Sequence, residues 1–380
     1  MSLHVSMLVP GLAKGGMTRA YSLASALRVL GARVDIVGAL ARNEEVYPQP
    51  PAGIDVIPVP PSPMARRAYA MQRAARGDIL YAIKPRVTSF GVGLWCRRRR
   101  PLLLDVDDRE TQFRAEYDAT HAVSWRRRAR RQIKRARNPD DASYTRWMEE
   151  LTGRAAVITA NTRLLCEEFN AVLVPSAKDT TLFDPARFDA EECRRTLGLD
   201  GQRVIMFPGT PRAHKGVEDA LDALDLLGWP DARLVIVGGR EVGHVYARSL
   251  RARYERWLVH LPRFAAEEMP GVVAAAHVVV VPQRDTPVAR AQFPIKITDA
   301  MAMAKPIIST RVGDIPHALD GAAYLVAPSS PKEIAAALEA IFADPREAAR
   351  LGAEARRRCE ERFSTAAVAG IMRGILEGMR

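Results

Sequence analysis

VIMFPGTPRAHKG, from Val204 to Gly216, reads as a buried strand of four apolar residues (Val204, Ile205, Met206, Phe207) that stops at Pro208 and Gly209. A short loop with Arg212, His214 and Lys215 follows, then Gly216 and an apolar-periodic helix. A strand that ends at a glycine and reopens as a helix aims unpaired backbone N–H groups, and the positive end of a helix dipole, at one spot. Two cations beside that spot suit a phosphate or diphosphate. The same spelling also fits an ordinary strand-to-helix turn with solvated basic residues, because such turns occur throughout α/β proteins.

Outward from this stretch the alternation continues. Strands are expected at 203–207, 233–238, 258–261, 277–282, 306–310 and 323–326, with helical patterns between most of them, which predicts a doubly wound parallel sheet. The first half opens the same way. Leu3 to Val9 is a strand pattern followed by Pro10, Gly11, Lys14, Gly15 and Gly16, then a helix carrying Leu23, Ala26, Leu27 and Leu30, then a strand at Arg33 to Val37. Gly11, Gly15 and Gly16 do not fit the dinucleotide spacing and Asp35 lies inside its strand, so a nicotinamide cofactor is disfavoured. Tyr47 to Pro63, with seven prolines, reads as a loop; further strands are expected at Ile79 to Ile83, Leu102 to Asp105, Ala156 to Ala160 and Ala171 to Pro175. DTTLFDP, Asp179 to Pro185, reads as a linker. The expected organisation is therefore two Rossmann-like domains, 1–180 and 181–363, with phosphate-type turns facing an interdomain cleft.

The totals agree with two domains: 380 residues, 48% of them hydrophobic, suffice for two cores. Cys96, Cys166, Cys193 and Cys359 form no CxxC pair, which suggests reduced thiols, a cytosolic setting and no zinc site. The N-terminus reads as a first strand and not as a secretory signal, and the longest apolar segment, Val272 to Val281, is about half of what a membrane span requires. The net charge of +12 is uneven: residues 1–184 hold 29 Lys+Arg against 19 Asp+Glu, whereas the remainder holds 27 against 25. An anionic partner beyond a small ligand is expected to meet the first half.

Two stretches of that half invite chemistry. Leu102 to Asp105 runs out into Asp105, Val106, Asp107, Asp108 and Arg109, acidic residues at the end of a parallel strand, where α/β proteins bind ligands. The Asp-x-Asp spelling also suggests a metal, but nothing nearby supplies the further oxygens a hard cation wants. WRRRARRQIKRAR, Trp125 to Arg137, has eight basic residues in its last twelve, with Arg97 to Arg100 as a second run. It can be a solvated helix face, a contact for an acidic membrane surface or anionic lipid-linked acceptor, or a nucleic-acid patch; no helix-turn-helix, RRM or KH motif accompanies it.

Taken together, three stretches resemble the family 4 glycosyltransferases, retaining enzymes of the GT-B fold. Gly209 to Gly216 looks like that family's glycine, basic, Lys-Gly loop, in which the basic pair binds a nucleotide-sugar diphosphate; Lys215 matches the lysine, Thr210 stands where the arginine is expected, and Arg212 is the substitute. FPIKITDAMAMAKP, Phe293 to Pro306, is similar to the segment in which an acidic residue leads into a small-residue helix. There Asp299 stands at the position of the glutamate that hydrogen-bonds ribose, Ala291 replaces its usual acidic partner, and Pro294 and Lys296 look like a known variant. Gly15 and Gly16 with Arg19 resemble the loop that approaches phosphate and acceptor. The backbone of Leu261 to Phe264 falls where the base is selected, the segment 364–380 where that family's chain returns to its first domain, and Asp107 where a histidine is common.

The resemblance implies a hexosyltransferase that moves a sugar from a nucleotide-diphosphate donor, UDP before GDP, to a hydroxyl of a lipid-linked, polysaccharide or other glycan acceptor. Lys215, Arg212 and Asp107 are the catalytic candidates. Gly209, Thr210, Arg212, Lys215, Gly15, Gly16, Arg263, Pro294, Lys296, Ile297 and Asp299 are the donor-binding candidates, with neither metal nor other cofactor and no nucleic acid. Peripheral attachment to an acidic membrane through Arg126 to Arg137 is a further expectation. Two alternatives stand beside it: a nucleotide-sugar epimerase of the same fold, and a basic nucleic-acid-binding protein. Of the histidines, His214, His244, His277 and His317 are read as structural, with His317 the best placed to line a donor pocket, and Met301 and Met303 as packing residues.

Overall fold

The computed structural model describes residues 3–13, 16–109, 111, 139, 141–238 and 245–379. Gly15, His244 and the run Arg126 to Arg137 lie outside the described residues. The chain divides into two units, Met1–Ala177 with Thr365–Arg380, and Lys178–Ser364.

The first unit is built on a parallel sheet of β1 (His4–Val9), β2 (Arg33–Ala39), β3 (Asp55–Val59), β4 (Ile79–Ile83), β5 (Leu102–Val106), β6 (Val157–Ala160) and β7 (Val172–Leu173). Their order across the sheet is β3-β2-β1-β4-β5-β6-β7. The chain therefore winds outward in one direction from β1 and in the other from β4. The second unit holds β8 (Arg203–Phe207), β9 (Ala232–Val237), β10 (Leu258–Leu261), β11 (Val278–Val281), β12 (Ile307–Thr310) and β13 (Tyr324–Val326) in the order β10-β9-β8-β11-β12-β13, with its reversal between β8 and β11. Every ladder is parallel. In both units the central strands read as unbroken apolar runs, ILYAI in β4 and VVVV in β11, and every residue of both is buried. Helices on both faces of a parallel sheet require that pattern.

The strands expected in the second half are found within one residue at each end. Two expectations in the first half are corrected. The proline-rich segment holds β3, which pairs with β2 alone at the sheet edge; Pro58 lacks a donor, and an edge strand has one side that needs none. The strand expected at Ala171 to Pro175 shrinks to Val172 and Leu173.

The last helix, Thr365–Glu377, belongs to the first unit and packs on the helix Met17–Val29. Its Val368, Ala369, Met372 and Ile375 join Leu23, Ala24 and Leu27 in one core. Burying the three larger of those C-terminal side chains contributes about 1.5–3 kcal/mol each.

Candidate functional site

In an open parallel sheet the strand ends diverge where the order reverses, and a ligand finds room there. In the second unit that place lies between β8 and β11, and Gly209 follows β8 directly. A Cβ on Gly209 would stand 2.1 Å from Lys296 Cε and 2.7 Å from its Nζ, so the lysine lies over the bare glycine backbone. Lys296 comes from the helix Ile295–Ala302, which follows Pro294 with no side-chain cap. After Gly209 the chain makes a single 3-10 turn, Ala213–Lys215, closed by Gly216 at φ 61°. A Cβ on Gly216 would meet the Pro282 carbonyl oxygen at 2.1 Å. Glycine is needed there for its left-handed backbone and for its missing side chain.

The turn brings cations together. Lys215 Nζ donates to the Thr210 carbonyl at 3.4 Å, and Arg212 is exposed beside it. Burial pulls the Lys296 ammonium below the ordinary lysine value; Asp299 and a hydrogen bond with Lys215 oppose this, and Arg212 adds to it. His214 is buried and pushed down to about 4, first by burial and then by Lys215, Arg212 and Lys296. It is neutral at pH 7. Three positive side chains thus crowd one strand end, a cost that an anion would relieve.

The frame of this cluster was not legible beforehand. The Arg284 backbone N–H donates to the His214 carbonyl at 3.0 Å, while its guanidinium holds Asp219 through Nη2 at 3.0 Å and Nε at 3.3 Å. Asp219 and Glu218 sit in the first turn of the helix Val217–Leu227, so Arg284 ties the loop to the helix it opens. Asp299 is buried and ion-paired with Lys178, whose Nζ also stands 3.7 Å from the Phe183 ring centroid. One carboxylate oxygen at the expected ribose position is therefore already held. Thr210 is half-buried, Ile297 is wholly buried, and Arg263 packs its Cγ against Gly238 at the ends of β9 and β10. His317 is exposed on a short helix, and His277 accepts the Val204 N–H at 3.0 Å as a structural residue. Met301 and Met303 are core residues.

The first unit repeats the arrangement with different charges. Its sheet reverses between β1 and β4, with Gly16 after β1 and Lys84 after β4. A Cβ on Gly16 would lie 3.5 Å from Lys84 Cε, the counterpart of the Gly209–Lys296 contact. Lys84 has φ 70° and is buried, its carbonyl accepting from Ser89 Oγ at 2.8 Å. Its ammonium meets Asp108 at 2.8 Å and Asp107 at 3.2 Å. Burial lifts the Asp107 carboxyl to about 7 against the pull of Lys84, with Asp108 and Asp105 adding to the rise. Arg19 is corrected. Instead of approaching a phosphate it is buried, with Nε and Nη2 on Asp105 at 2.9 and 2.7 Å and further bonds to the Val174 carbonyl and Ser176. Asp105 also accepts from Thr159 and is fully buried. Among the described residues, no group of three or more His, Cys, Asp or Glu is placed to hold a metal ion.

Comparison with known proteins adds to this geometry. The chain is 30% identical over 202 residues to the MMP alpha-(1->4)-mannosyltransferase of Mycolicibacterium hassiacum, covering 52% of this chain and 46% of that protein. It is 30% identical over 186 residues to the D-inositol 3-phosphate glycosyltransferase of Corynebacterium jeikeium, covering 45% and 43%. The chain thus spans about half the length of these relatives. Among solved structures, HepE from Anabaena in complex with UDP-glucose superposes with TM-score 0.74 at 17% identity over 99% of this chain and all of that one. Sucrose-phosphate synthase from Thermosynechococcus elongatus gives 0.74 at 17% over 99% of both. These likenesses show the fold, GT-B with two Rossmann-like units. Residues 202–344, which carry Gly209, Arg212, Lys215, Lys296 and Asp299, match the family described as Glycosyl transferases group 1.

Proposed function

We propose that the chain is a retaining glycosyltransferase that moves a hexose from a nucleotide-diphosphate donor, UDP in preference to GDP, to a hydroxyl of a lipid-linked or other glycan acceptor. The observation that carries this reading is the convergence of Arg212, Lys215 and Lys296 on Gly209 at the reversal of the second sheet. The group 1 match over the same residues and the UDP-glucose complex of a structural neighbour support it.

In the reaction the bond from the anomeric carbon to the diphosphate oxygen breaks, and a bond to the acceptor oxygen forms on the same face of the sugar. The acceptor proton passes to the departing phosphate oxygen. Negative charge grows on the diphosphate, and fixed cations at that spot stabilise the transition state more than the ground state. Lys215 and Arg212 fill that role, with Lys296 beside them, so the reading requires no divalent metal. In the first unit, Lys84 holds Asp107 and Asp108 as acceptors for sugar hydroxyls. Contact with an acidic membrane through Arg126 to Arg137 belongs to the same proposal.

Removing one such donor costs about 10²–10³ in rate. Lys215→Ala is expected to lower turnover of a nucleotide-sugar panel by that factor, with an unchanged far-ultraviolet circular dichroism spectrum. Retention of most activity would count against the assignment.

A further inference from the structure

The N-terminal edge of the first sheet carries a groove that the site at its other edge does not use. Arg98, Arg99 and Arg100 lie just before β5 and Ala75 shortly before β4, whereas Lys84 and Asp107 follow the far ends of those strands. The groove holds about 710 Å³ and is lined by Tyr69, Gln72, Arg73, Arg98, Arg99 and Arg100. Arg100 is committed to the backbone, donating to the carbonyls of Ala75 at 2.7 Å, Gly77 at 3.1 Å and Cys96 at 2.9 Å. Among the described residues, the side chains of Arg73, Arg98 and Arg99 make no hydrogen bond or ion pair, and no acidic side chain lines the groove.

Some exposed arginines of the second unit are paired with a carboxylate. Arg290 pairs with Asp285, Arg350 with Glu347 and Arg357 with Glu354. Three guanidinium groups kept together in a concavity with no counter-charge among the described residues match a phosphate, which accepts from several such forks at once. Tyr69, which lines the groove, is 56% exposed on the helix Met64–Ala74, and Trp95, close before Arg98 in the chain, is 58% exposed on the helix Val92–Cys96 that packs against that helix. Exposed aromatic residues beside arginines are the composition of a surface that meets lipid headgroups.

We infer that this groove binds a phosphate group, that of an anionic lipid headgroup before that of a soluble phosphate chain. The inference does not depend on the transferase reading, since the groove lies at the opposite sheet edge from the residues that carry it.

The test compares the full-length chain with Arg73→Gln/Arg99→Gln, which leaves the left-handed backbone at Arg98 untouched. Arg350→Gln/Arg357→Gln removes the same charge from the second unit and serves as the control. The probes are vesicles of equal parts phosphatidylglycerol and phosphatidylcholine in co-sedimentation, and sodium tripolyphosphate in calorimetry. Each arginine at an anionic surface is worth roughly fivefold in affinity, so the groove variant should bind about 25-fold more weakly while the control stays within about twofold. Loss toward vesicles alone assigns a lipid source, and loss toward tripolyphosphate alone a soluble one. A groove variant that holds both probes as tightly as the natural chain, or a natural chain that holds neither, overturns the inference. Far-ultraviolet circular dichroism establishes that each variant is folded.

Discussion

Gly209 is the residue on which the site turns. An added methyl there collides with the far end of one flexible side chain, Lys296, and not with backbone. Gly209→Ala should therefore leave the unfolding midpoint nearly unchanged while pushing Lys296 aside, and nucleotide diphosphate affinity should fall about tenfold or more. Equal affinity in calorimetry would remove Lys296 from the site. Asp107 gives a second residue-scale test. Its carboxyl is held at about 7 against 3.8 in the unfolded chain, so between those values the folded protein keeps a proton that the unfolded chain has lost, and stability falls as pH rises. His214 and His277, both pushed down to about 4 from 6.5, act with the opposite sign, because the unfolded chain takes up protons that the folded one refuses. Asp107→Asn removes only the first effect. Relative to the natural chain the variant should gain stability between about pH 5 and about pH 8, by at most on the order of a few kcal/mol, in urea unfolding. The same difference at both values would mean that Asp107 is not held protonated.

At the scale of elements, much of the architecture was written in apolar runs and glycines. The strands of the second sheet could be placed because each is a short buried run closed by a turn residue, VVVV of β11 most plainly. β3 was not legible, since Pro58 and the prolines that flank the strand read as loop until an edge position excuses Pro58. Lys84 escaped notice because nothing local announces a lysine with positive φ; only the juxtaposition of β1 and β4 gives it a partner in Gly16. Arg284 and Lys178 were hidden for a related reason, as their partners Asp219 and Asp299 lie 65 and 121 residues away. Arg19 was misread because a glycine loop followed by an arginine looks like a phosphate site whether or not a buried Asp105 claims the guanidinium. The C-terminal helix is an element whose contribution can be measured. Met372 is fully buried against the core of the first unit, so Met372→Ala should cost about 2–5 kcal/mol in urea unfolding. A loss below about 0.5 kcal/mol would show that this helix does not complete the core.

Over the whole molecule, two units of one design carry different chemistry at the same topological position. Each has a glycine after its first strand and a lysine placed against it from beyond the reversal of the sheet. In the first unit two carboxylates answer the lysine; in the second, Arg212 and Lys215 join it. Under the proposed function, that difference would divide the labour between a hydroxyl-bearing acceptor and an anionic donor, with the diphosphate in the second unit even though the first carries most of the net positive charge. The most direct measurement is calorimetric titration of the chain and of Lys215→Ala with UDP and with GDP. The account predicts that at least one nucleotide binds the natural chain and that the variant binds it about tenfold more weakly or worse. Heat of binding for neither nucleotide, or an affinity untouched by loss of Lys215, would contradict it.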